Sequence, residues 1–508
     1  MLDVAIVGGG LCGLALAHSL QARGGDWRLF EARERLGGRV LTAHAADGTP
    51  VDLGATWFWP QTQPAITRLV ADLGLDSFEQ RDDGRVLHLN DPNRVPQTVA
   101  LTAQLQPADD PAAPAAPGGV HGGARRVTGG AGALIAALAK PLPATRLRLG
   151  HVLHAVVDHG DFVELRLRFG DADYAVNVRR VVLAMPPRLV DASVQFAPPL
   201  APELRAALRA TPTWMATAAK AGFVYPRPFW HADGHTGNAW VSHAQAMLSE
   251  VFDACGPEGA GAYPSAALVG FSALDSARRE SFRRGRELLL DSQLSMLFGA
   301  QAVDPAVPVE RFWQDWATET HTCSLVDIEQ EAAAAAHPAY GDATLRQAWW
   351  QGRLHFAGSE TAQRGGGYLE GALGAAGRVR LKKLGLTEVF WSVDTLDWKA
   401  HNEDRLRKKV VSMIKHDGGG VVLMHDVKPI TARVIADVLD DLEAENCSRL
   451  ADHRDPIVPV SLHYFLKNGA TPRAIPEGVQ QRTAAYKAQL PDRCAKRPAP
   501  EPAKHASR

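Results

Sequence analysis

Three glycines and one acidic residue near the start of the chain could hold the phosphates and a ribose of a dinucleotide. Gly8, Gly10 and Gly13 follow the pattern G-x-G-x-x-G, and Glu31 comes later in the same segment. Gly8 permits a tight turn, Gly10 lets the backbone approach a pyrophosphate, and Gly13 lets a helix pack closely on a strand. The carboxylate of Glu31 would accept hydrogen bonds from a ribose diol. The spacing predicts a dinucleotide site and favours a flavin one.

A strand, a helix and a second strand are needed to bring these residues together, and the flanking sequence supplies all three. Residues 4–7 (VAIV) read as a strand, a helix that carries Leu14, Ala17 and Leu20 follows the glycines, and residues 27–30 (WRLF) read as a second strand. The N-terminal N–H groups of that helix and the positive end of its dipole would face the phosphates. The alternative interpretation is a glycine-rich turn in another kind of α/β protein.

Length and composition describe an ordinary globular chain that binds small molecules. The 508 residues allow roughly three domains, and a hydrophobic fraction of 46% can fill their cores. The 55 Lys and Arg residues almost balance the 56 Asp and Glu residues, so no overall field would attract nucleic acid or anionic lipid. No run is long and apolar enough to span a bilayer. We therefore expect neither nucleic-acid nor membrane partners.

The cysteines and the start of the chain predict a cytoplasmic protein. The cysteines are Cys12, Cys255, Cys323, Cys447 and Cys494. Their number is odd and no C-x-x-C pair occurs, which argues against a disulfide framework and a zinc ribbon and favours a reducing compartment. No metal site is predicted. The apolar residues 4–20 lack a basic leader and follow Asp3, so they do not resemble a signal peptide.

Composition and alternation mark further elements along the chain. Residues 104–126 are dominated by Pro, Ala and Gly and predict a surface loop. The patterns predict strands at residues 162–169, 180–185 and 354–356, a helix at the polyalanine stretch 332–336, and a helix that opens at the glycine-rich segment 365–371.

Short motifs are spread over residues 3–378. They are Gly37-Gly38-Arg39, Val51-Asp52-Leu53-Gly54, Val127-Thr128-Gly129-Gly130, Leu183-Ala184-Met185-Pro186, FAGSE at 356–360 and GYLEGAL at 367–373. Together with the glycine pattern and Glu31, they resemble the flavin-dependent amine oxidase family, which includes the monoamine and polyamine oxidases. Such distributed agreement is more specific than any one motif.

The resemblance implies an α/β fold in which a Rossmann-like FAD-binding domain is interleaved with an α+β substrate domain. The FAD-binding domain would consist of residues 1–60, 120–190 and 345–379. The substrate domain would consist of residues 61–119 and 191–344.

The resemblance also adds residues to the predicted FAD site: Arg39, Gly54, Gly358 and Glu360. Arg39 makes physical sense in this role, because a guanidinium can chelate phosphate oxygens in a fixed planar geometry. A solvated turn residue is the alternative interpretation of Arg39. The FAD would be bound non-covalently, because Cys323 is not clearly in register with the family cysteine that forms a covalent link.

Two residues are expected to carry the chemistry. Lys220 lies in an apolar, small-residue strand and matches the family lysine that holds a water near the flavin N5; the alternative is a solvated surface lysine. Tyr368 matches one aromatic wall of the family's cage beside the flavin; the alternative is a core aromatic residue. The opposing wall is not obvious in this sequence, and Trp349 or Trp350 could substitute for it.

The C-terminal part, residues 380–495, resembles the closing portion of the polysaccharide deacetylases, with their D-x-x-D-W and L-M-H-D motifs. The resemblance implies a truncated (β/α)-barrel in which His425 is a general acid and Asp394 or Asp397 supports the base. The Asp-Asp pair and the H-x-x-x-H pair that bind metal in that family are absent from the sequence, so no water would be activated. Residues 496–508 predict a disordered tail.

The sequence therefore predicts an FAD-dependent oxidoreductase that resembles the amine oxidases. The resemblance implies that a small amine loses a hydride from the carbon bearing its nitrogen and that dioxygen reoxidises the flavin to give hydrogen peroxide. Three alternatives stay open at this point: a flavin-dependent desaturase or dehydrogenase that does not use oxygen, an incomplete polysaccharide deacetylase acting on N-acetylated glycans, and an inactive fusion that only binds. Neither charge nor motif selects a monoamine, a polyamine or an amino acid as the substrate.

Overall fold

The computed structural model describes residues 1–82, 84–100, 122–231, 234–259, 261–331, 337–383, 393–395, 397, 400–416, 421–424, 429–454, 456–459 and 477–496. The chain forms two compact units, Met1–Leu386 and Thr387–Arg508. Most of the predicted surface loop at 104–126, the polyalanine helix at 332–336 and nearly all of the predicted tail at 496–508 lie outside the described residues. The division into an FAD-binding and a substrate domain stays a prediction.

Strands and helices alternate along the first unit, and the second unit is mostly helical where it is described. The strands of the first unit are β1 Leu2–Val7, β2 Trp27–Phe30, β3 Thr42–His44, β4 Pro50–Asp52, β5 Ser77–Glu79, β6 Arg85–Leu89, β7 Gln97–Ala100, β8 Arg125–Val127, β9 Leu147–Arg148, β10 His151–Asp158, β11 Val163–Phe169, β12 Ala172–Leu183, β13 Gln195–Ala197, β14 Ala219–Tyr225, β15 His235–Val241, β16 Leu248–Asp253, β17 Ala266–Ser272, β18 Glu310–Asp315 and β19 Leu354–Phe356. Its helices are α1 Leu11–Gln21, α2 Pro64–Asp72, α3 Gly132–Ala139, α4 Pro187–Ser193, α5 Pro202–Ala210, α6 Ser276–Ser281, α7 Arg286–Phe298, α8 Leu325–Glu329, α9 Ala343–Arg346 and α10 Leu369–Lys383. The elements of the second unit are β20 Val393–Asp394, α11 Glu403–His416, β21 Val422–Leu423, α12 Pro429–Ala451 and α13 Glu477–Ala495.

The larger sheet is built around β1, which pairs in parallel with both β2 and β12. The strand order is β13-β10-β11-β12-β1-β2-β9, with β19 pairing with β12. Alternate side chains of β1 enter separate cores: Val4 and Ile6 pack with α1, α3 and α10 on one face, whereas Ala5 and Val7 pack on the other. A strand covered on both faces is expected to be apolar throughout, as VAIV is. The predicted strands at 27–30 and 354–356 are confirmed, and the one predicted at 180–185 is the end of the longer β12.

The smaller sheet carries the strand that contains Lys220. Its order is β18-β14-β17-β16-β15-β6-β7, and β14 pairs antiparallel with both β17 and β18. Every residue of β14 is buried. Gly222 lets this strand approach the chain at β4, because a Cβ there would lie 2.6 Å from the Cγ1 of Val51. The close approach brings Lys220 beside the segment that follows β4.

The second unit contains one strand-helix-strand crossover in its described part. β20 and β21 pair in parallel, and α11 lies between them in the chain. The side chain of Asn402 caps α11 by accepting a hydrogen bond from the N–H of Arg405 at 2.8 Å. Val393, Leu406 and Val434 belong to the core of this unit. One parallel pair is compatible with many folds, so the predicted barrel stays a prediction. No helix within the described ranges has both the length and the apolar character needed to cross a membrane.

The cysteine prediction was wrong for one pair. Cys447 on α12 and Cys494 on α13 form a disulfide across a sequence separation of 47 residues, while Cys12, Cys255 and Cys323 are free. An odd count without a C-x-x-C pair argued against a disulfide framework, but it could not show which cysteines meet in space. The cytoplasmic location stays a prediction, because this pair weakens the argument from cysteine usage on which it rested.

Replacing Cys494 by serine is expected to lower the free energy of unfolding of the second unit by about 2–4 kcal/mol, since the disulfide closes a long loop in the unfolded chain. Denaturant unfolding of the full chain, followed by circular dichroism, measures this change. A reducing agent should bring the wild type to the same midpoint and leave Cys494→Ser unchanged. A wild type that is insensitive to the reducing agent would show that the two cysteines are not paired.

Candidate functional site

A cavity of about 420 Å³ opens beside the turn that follows β1. Its walls come from the glycine turn, the ends of β2 and β4, the segment before β14, and residues 358–360 and 367–369. The predicted site residues that line it are Gly8, Gly10, Glu31, Arg39, Gly54, Lys220, Gly358, Glu360 and Tyr368. The fold thus brings together residues that are far apart in the chain.

Gly8 and Gly13 have the turn and packing geometry that the spacing predicts, and the role of Gly10 stays a prediction. Gly8 has a φ of +108°, and a Cβ on Gly13 would clash with the carbonyl oxygen of Gly8, so Gly13 serves the packing of α1 on β1 rather than the cavity lining. A Cβ on Gly10 would have no protein atom nearer than 3.9 Å. Gly10 therefore leaves its backbone bare toward the cavity, where a pyrophosphate can approach.

Glu31 lies at the end of β2 with its carboxylate at the cavity wall. One oxygen accepts a hydrogen bond from the N–H of Gly9 at 2.6 Å, and the other accepts from the N–H of Arg33 at 3.0 Å. These bonds fix the carboxylate beside the glycine turn. Each carboxylate oxygen keeps a second lone pair, so the group can still accept from a ribose diol.

Arg39 and Glu360 form an ion pair at the cavity wall, with the carboxylate buried and the guanidinium partly exposed. Their nearest nitrogen and oxygen are 2.6 Å apart, and the side chain of Glu360 is 0% exposed. Burial opposes ionisation of Glu360, but the charge and the hydrogen bond of Arg39 outweigh it and hold its pKa below the usual value. Arg39 also donates to the carbonyl of Trp214 at 3.0 Å and to the hydroxyl of Ser359 at 3.1 Å.

Lys220 points from β14 into the cavity wall and is 4% exposed. Its Nζ donates to the carbonyl of Gly54 and to the hydroxyl of Thr56, each at 2.7 Å. The same nitrogen lies 4.6 Å from the ring centroid of Phe271 and 5.3 Å from that of Trp57. Burial lowers the pKa of Lys220 to about 7. The alternative of a solvated surface lysine is excluded.

Asp52 is a buried acidic residue next to this lysine that sequence reasoning did not single out for chemistry. Its Oδ1 accepts from the hydroxyl of Thr42 at 2.5 Å and from the N–H of Ala131 at 3.0 Å. Its Oδ2 has no hydrogen-bond partner within the described residues. Burial raises the pKa of Asp52 above the usual value. Only its backbone carbonyl contacts the Nζ of Lys220, at 3.5 Å.

Tyr368 stands in a cluster of aromatic rings. The imidazole of His337 stacks on it with centroids 5.0 Å apart and ring planes 6° from parallel. Trp59 and Trp214 approach it at 6.4 and 6.2 Å. The separation from His337 is too small for a ligand to enter between the rings, since stacked rings at this distance are in contact. The cavity therefore meets Tyr368 on the side bounded by Trp59 and Trp214.

The suggestion that Trp349 or Trp350 forms the second aromatic wall was wrong. The indole of Trp349 donates to the carbonyl of Thr344, and Trp350 packs on Phe196. Both tryptophans belong to the core on the far side of the larger sheet and do not line the cavity. His337, which follows directly after the polyalanine stretch, is the aromatic residue that covers Tyr368.

Sequence reasoning also missed most of the remaining wall. Its largest apolar side chains are Trp57, Trp59, Trp214, Met215, Phe271 and Trp316. Its polar members include Arg33, His151, Ser193, Thr320, His321 and Thr322. Among the described residues of the lining, the carboxylates are those of Glu31 and Glu360, and both already have protein partners. The position of Trp214 and Met215 shortly before Lys220 was the one available signal, since the segment leading to a functional strand often lines its site.

The residues for which the sequence predicted a deacetylase role are only partly described. The carboxylate of Asp397 is buried and accepts from the hydroxyls of Thr395, at 3.3 Å, and Thr431. Asp394 contributes its backbone to β20. His425 lies outside the described residues. Asp397 is therefore engaged in holding β20 to the start of α12.

Two family models match the chain. A model described as flavin containing amine oxidoreductase matches residues 115–379, and one described as an NAD(P)-binding Rossmann-like domain matches residues 6–73. The second match covers the end of β1, the glycine turn, α1 and β2. The first covers Lys220, Glu360 and Tyr368. Residues beyond 379 lie outside both matches.

Curated relatives and solved structures agree with these models. A protein of Mycobacterium tuberculosis, named provisionally as a flavin-containing monoamine oxidase, is 27% identical over 455 residues, which cover 73% of this chain and 94% of that one. The flavin-containing amine oxidase B of Sus scrofa is 24% identical over 466 residues, covering 74% and 85%. The structure of putrescine oxidase bound to putrescine shares the fold, with a TM-score of 0.59, 22% identity and coverage of 76% of this chain and 99% of that one.

Replacing Lys220 by methionine is expected to remove a pH dependence of stability. The folded chain holds Lys220 neutral above pH about 7, whereas the unfolded chain keeps a lysine protonated up to 10.5. The unfolded state therefore binds one more proton than the folded state within this window. As the pH rises, the free energy of unfolding of the wild type should increase by up to about 1.4 kcal/mol per pH unit relative to the variant. Denaturation midpoints measured between pH 7 and 9.5 test this, with the exposed Lys140→Met as the control. Parallel curves for wild type and Lys220→Met would contradict the neutral lysine.

Proposed function

The chain belongs to the flavin containing amine oxidoreductase family, and from that premise we propose that it oxidises a small apolar monoamine with dioxygen as the electron acceptor. It is an FAD-dependent, amine oxidase-like oxidoreductase. When bound, FAD accepts a hydride equivalent from the carbon that bears the nitrogen and passes two electrons to dioxygen, giving hydrogen peroxide. The amine leaves as an imine, which water hydrolyses to a carbonyl compound and ammonia or a smaller amine. The observation that carries the proposal is the buried Lys220 beside an aromatic cavity wall.

The residues on the nucleotide side of the cavity fit FAD. Gly10 leaves room for the pyrophosphate, the carboxylate of Glu31 can accept from a ribose, and the guanidinium of Arg39 faces the same cavity. We propose that the cofactor is held without a covalent link. Cys323 is not part of the cavity lining, and burial raises the pKa of the lining residue Cys12 to about 12, which keeps its thiol protonated and unreactive.

Lys220 is suited to bind and move a proton. A neutral amino group has two N–H donors and one lone pair. Gly54 and Thr56 offer an acceptor for each donor, so the lone pair is left for a water or a proton in the cavity. Near neutral pH the group can accept a proton and return it with little free-energy change, as general acid–base catalysis requires.

The lining favours a monoamine over a polyamine. A second ammonium group of a bound polyamine would need a carboxylate or several oxygen acceptors, because an unpaired charge is costly to bury. Within the described part of the lining, both carboxylates lie on the nucleotide side and are hydrogen-bonded. The apolar rings of Trp57, Trp59 and Phe271 instead suit a hydrocarbon or aromatic body.

The main rival is a flavin-dependent dehydrogenase or desaturase. Such an enzyme would share the nucleotide fold but would not pass electrons to dioxygen. The yield of hydrogen peroxide per amine consumed separates the two functions: a ratio near one supports the oxidase, whereas peroxide-free turnover with an artificial acceptor supports the dehydrogenase.

The absorption spectrum of the purified protein, recorded anaerobically with a panel of alkyl and aryl amines and then in air, tests the proposal. An apolar monoamine should bleach the flavin bands, and air should restore them. In Lys220→Met the return of the bands should slow by about 10²-fold, the scale of general acid–base effects, while bleaching changes much less. Lys140→Met is the control. Equal slowing of both steps would remove Lys220 from the oxygen step, and a wild type that no amine bleaches would overturn the proposed function.

For the second unit we propose a remnant without deacetylase activity. Within the described residues of this unit no cluster of His, Cys, Asp and Glu is arranged to hold a metal ion, and the carboxylate of Asp397 is already bound by two hydroxyls. We expect no acetate release from N-acetylated chitooligosaccharides in the presence of Zn²⁺. Release that Asp397→Asn abolishes would restore the deacetylase interpretation.

A further inference from the structure

Met215 occupies a strained backbone position at the wall of the cavity. Its φ is +54°, in the left-handed region that side chains other than glycine rarely adopt. The residue lines the cavity and is 39% exposed. A glycine here would avoid the strain, so a long flexible side chain in this position needs a reason.

The two residues before Met215 are held by ion pairs whose carboxylates are buried. The N–H of Trp214 donates to Glu360 at 3.3 Å, and its carbonyl accepts from Arg39 at 3.0 Å. One residue earlier, the N–H of Thr213 donates at 3.1 Å to Asp327, which is itself paired with a buried arginine. The peptide groups before Met215 are therefore fixed by charged partners. The left-handed turn at Met215 follows directly after this anchored segment.

The indole of Trp214 fixes the same turn through packing. A Cβ on Gly367 would lie 2.9 Å from the Cγ of Trp214, so the glycine before Tyr368 makes room for this ring. The ring also lies 4.5 Å from His337, measured between centroids. These contacts hold Trp214 in place, so the side chain of Met215 extends from an anchored turn. Met215 is then a flexible group on a rigid support at the edge of the cavity.

We propose that Met215, held in this turn by the Arg39–Glu360 pair, is the residue that limits the bulk of the amine which the cavity accepts. The inference rests on the proposed function. A methionine side chain fills irregular apolar space and adapts its three rotatable bonds to a small ligand. A branched or aryl-bearing ligand would have to displace it, because the preceding residues of the turn are held by hydrogen bonds and packing. Met215 thus acts on binding and discrimination, not on the reacting bond.

Two amines without a hydrogen on the carbon bearing nitrogen provide a test that needs no turnover. The small probe is tert-butylamine and the bulky one is 2-phenylpropan-2-amine, and binding of each to the holoenzyme is followed by the perturbation of the flavin absorption bands. In Met215→Ala the ratio of the two dissociation constants should shift by about tenfold in favour of the bulky amine, as expected for a few methylene-sized groups in an apolar pocket. Met215→Gly should show the same shift.

Gln351→Gly is the matched control, because Gln351 has the same φ of +54° but does not line the cavity. Both glycine variants should gain slightly in melting temperature through relief of strain, whereas only the Met215 variants should change the binding ratio. With oxidisable amines, the same change should appear in KM and leave kcat for a small amine within about threefold, since uniform binding affects KM alone.

The outcomes separate this inference from the proposed function. If the wild type oxidises apolar amines but neither Met215 variant changes the binding ratio, Met215 does not limit substrate bulk and the inference is wrong. If both Met215 variants and Gln351→Gly shift the ratio equally, backbone strain rather than the side chain is responsible, which also overturns it. A wild type that neither binds the probes nor is reduced by any amine is a failure of the proposed function instead.

Discussion

The ion pair between Arg39 and Glu360 is the interaction on which the candidate site depends. Glu360 is completely buried, and a buried carboxylate without a partner would cost several kcal/mol. Arg39 satisfies it at 2.6 Å and also holds the carbonyl of Trp214. The pair thereby joins the segment after the glycine turn to the FAGSE segment and to the turn that leads into β14. A change in any one of these segments alters the cavity that the other two line.

Local sequence was sufficient to predict the elements that surround the glycine turn. β1, β2 and α1 are short segments whose apolar periodicity and glycines specify both their type and their contacts, so their positions were predicted closely. The length of β12 was not predicted, because its first half is largely exposed and forms a strand by pairing with β11. The Cys447–Cys494 disulfide was missed for a similar reason: the meeting of two helices is decided by tertiary packing that no spacing rule reports.

The site itself was predictable where chemistry restricts the residue type. Only glycine fits the turn at Gly8, and a lysine in a small-residue strand has few structural uses, so both were found from the sequence. The residues of the remaining cavity wall were not found from the sequence. The stacking of His337 on Tyr368 and the left-handed turn at Met215 depend on backbone positions fixed by distant partners, and their own side chains give no local sign of them.

The low pKa of Lys220 has a structural cause. The side chain is buried, and its Nζ donates to two backbone carbonyls and one hydroxyl. Asp52, in the segment beside Lys220, turns its carboxylate to Thr42 and Ala131 and offers the lysine a backbone carbonyl. Burial raises the pKa of Asp52 above its usual value and lowers that of Lys220 to about 7, because it penalises the charged form of each group. An amine must itself lose its proton before its lone pair can assist the departure of a hydride from the adjacent carbon. A neutral Lys220 adds no positive charge to this part of the cavity wall, and its lone pair is available to accept a proton.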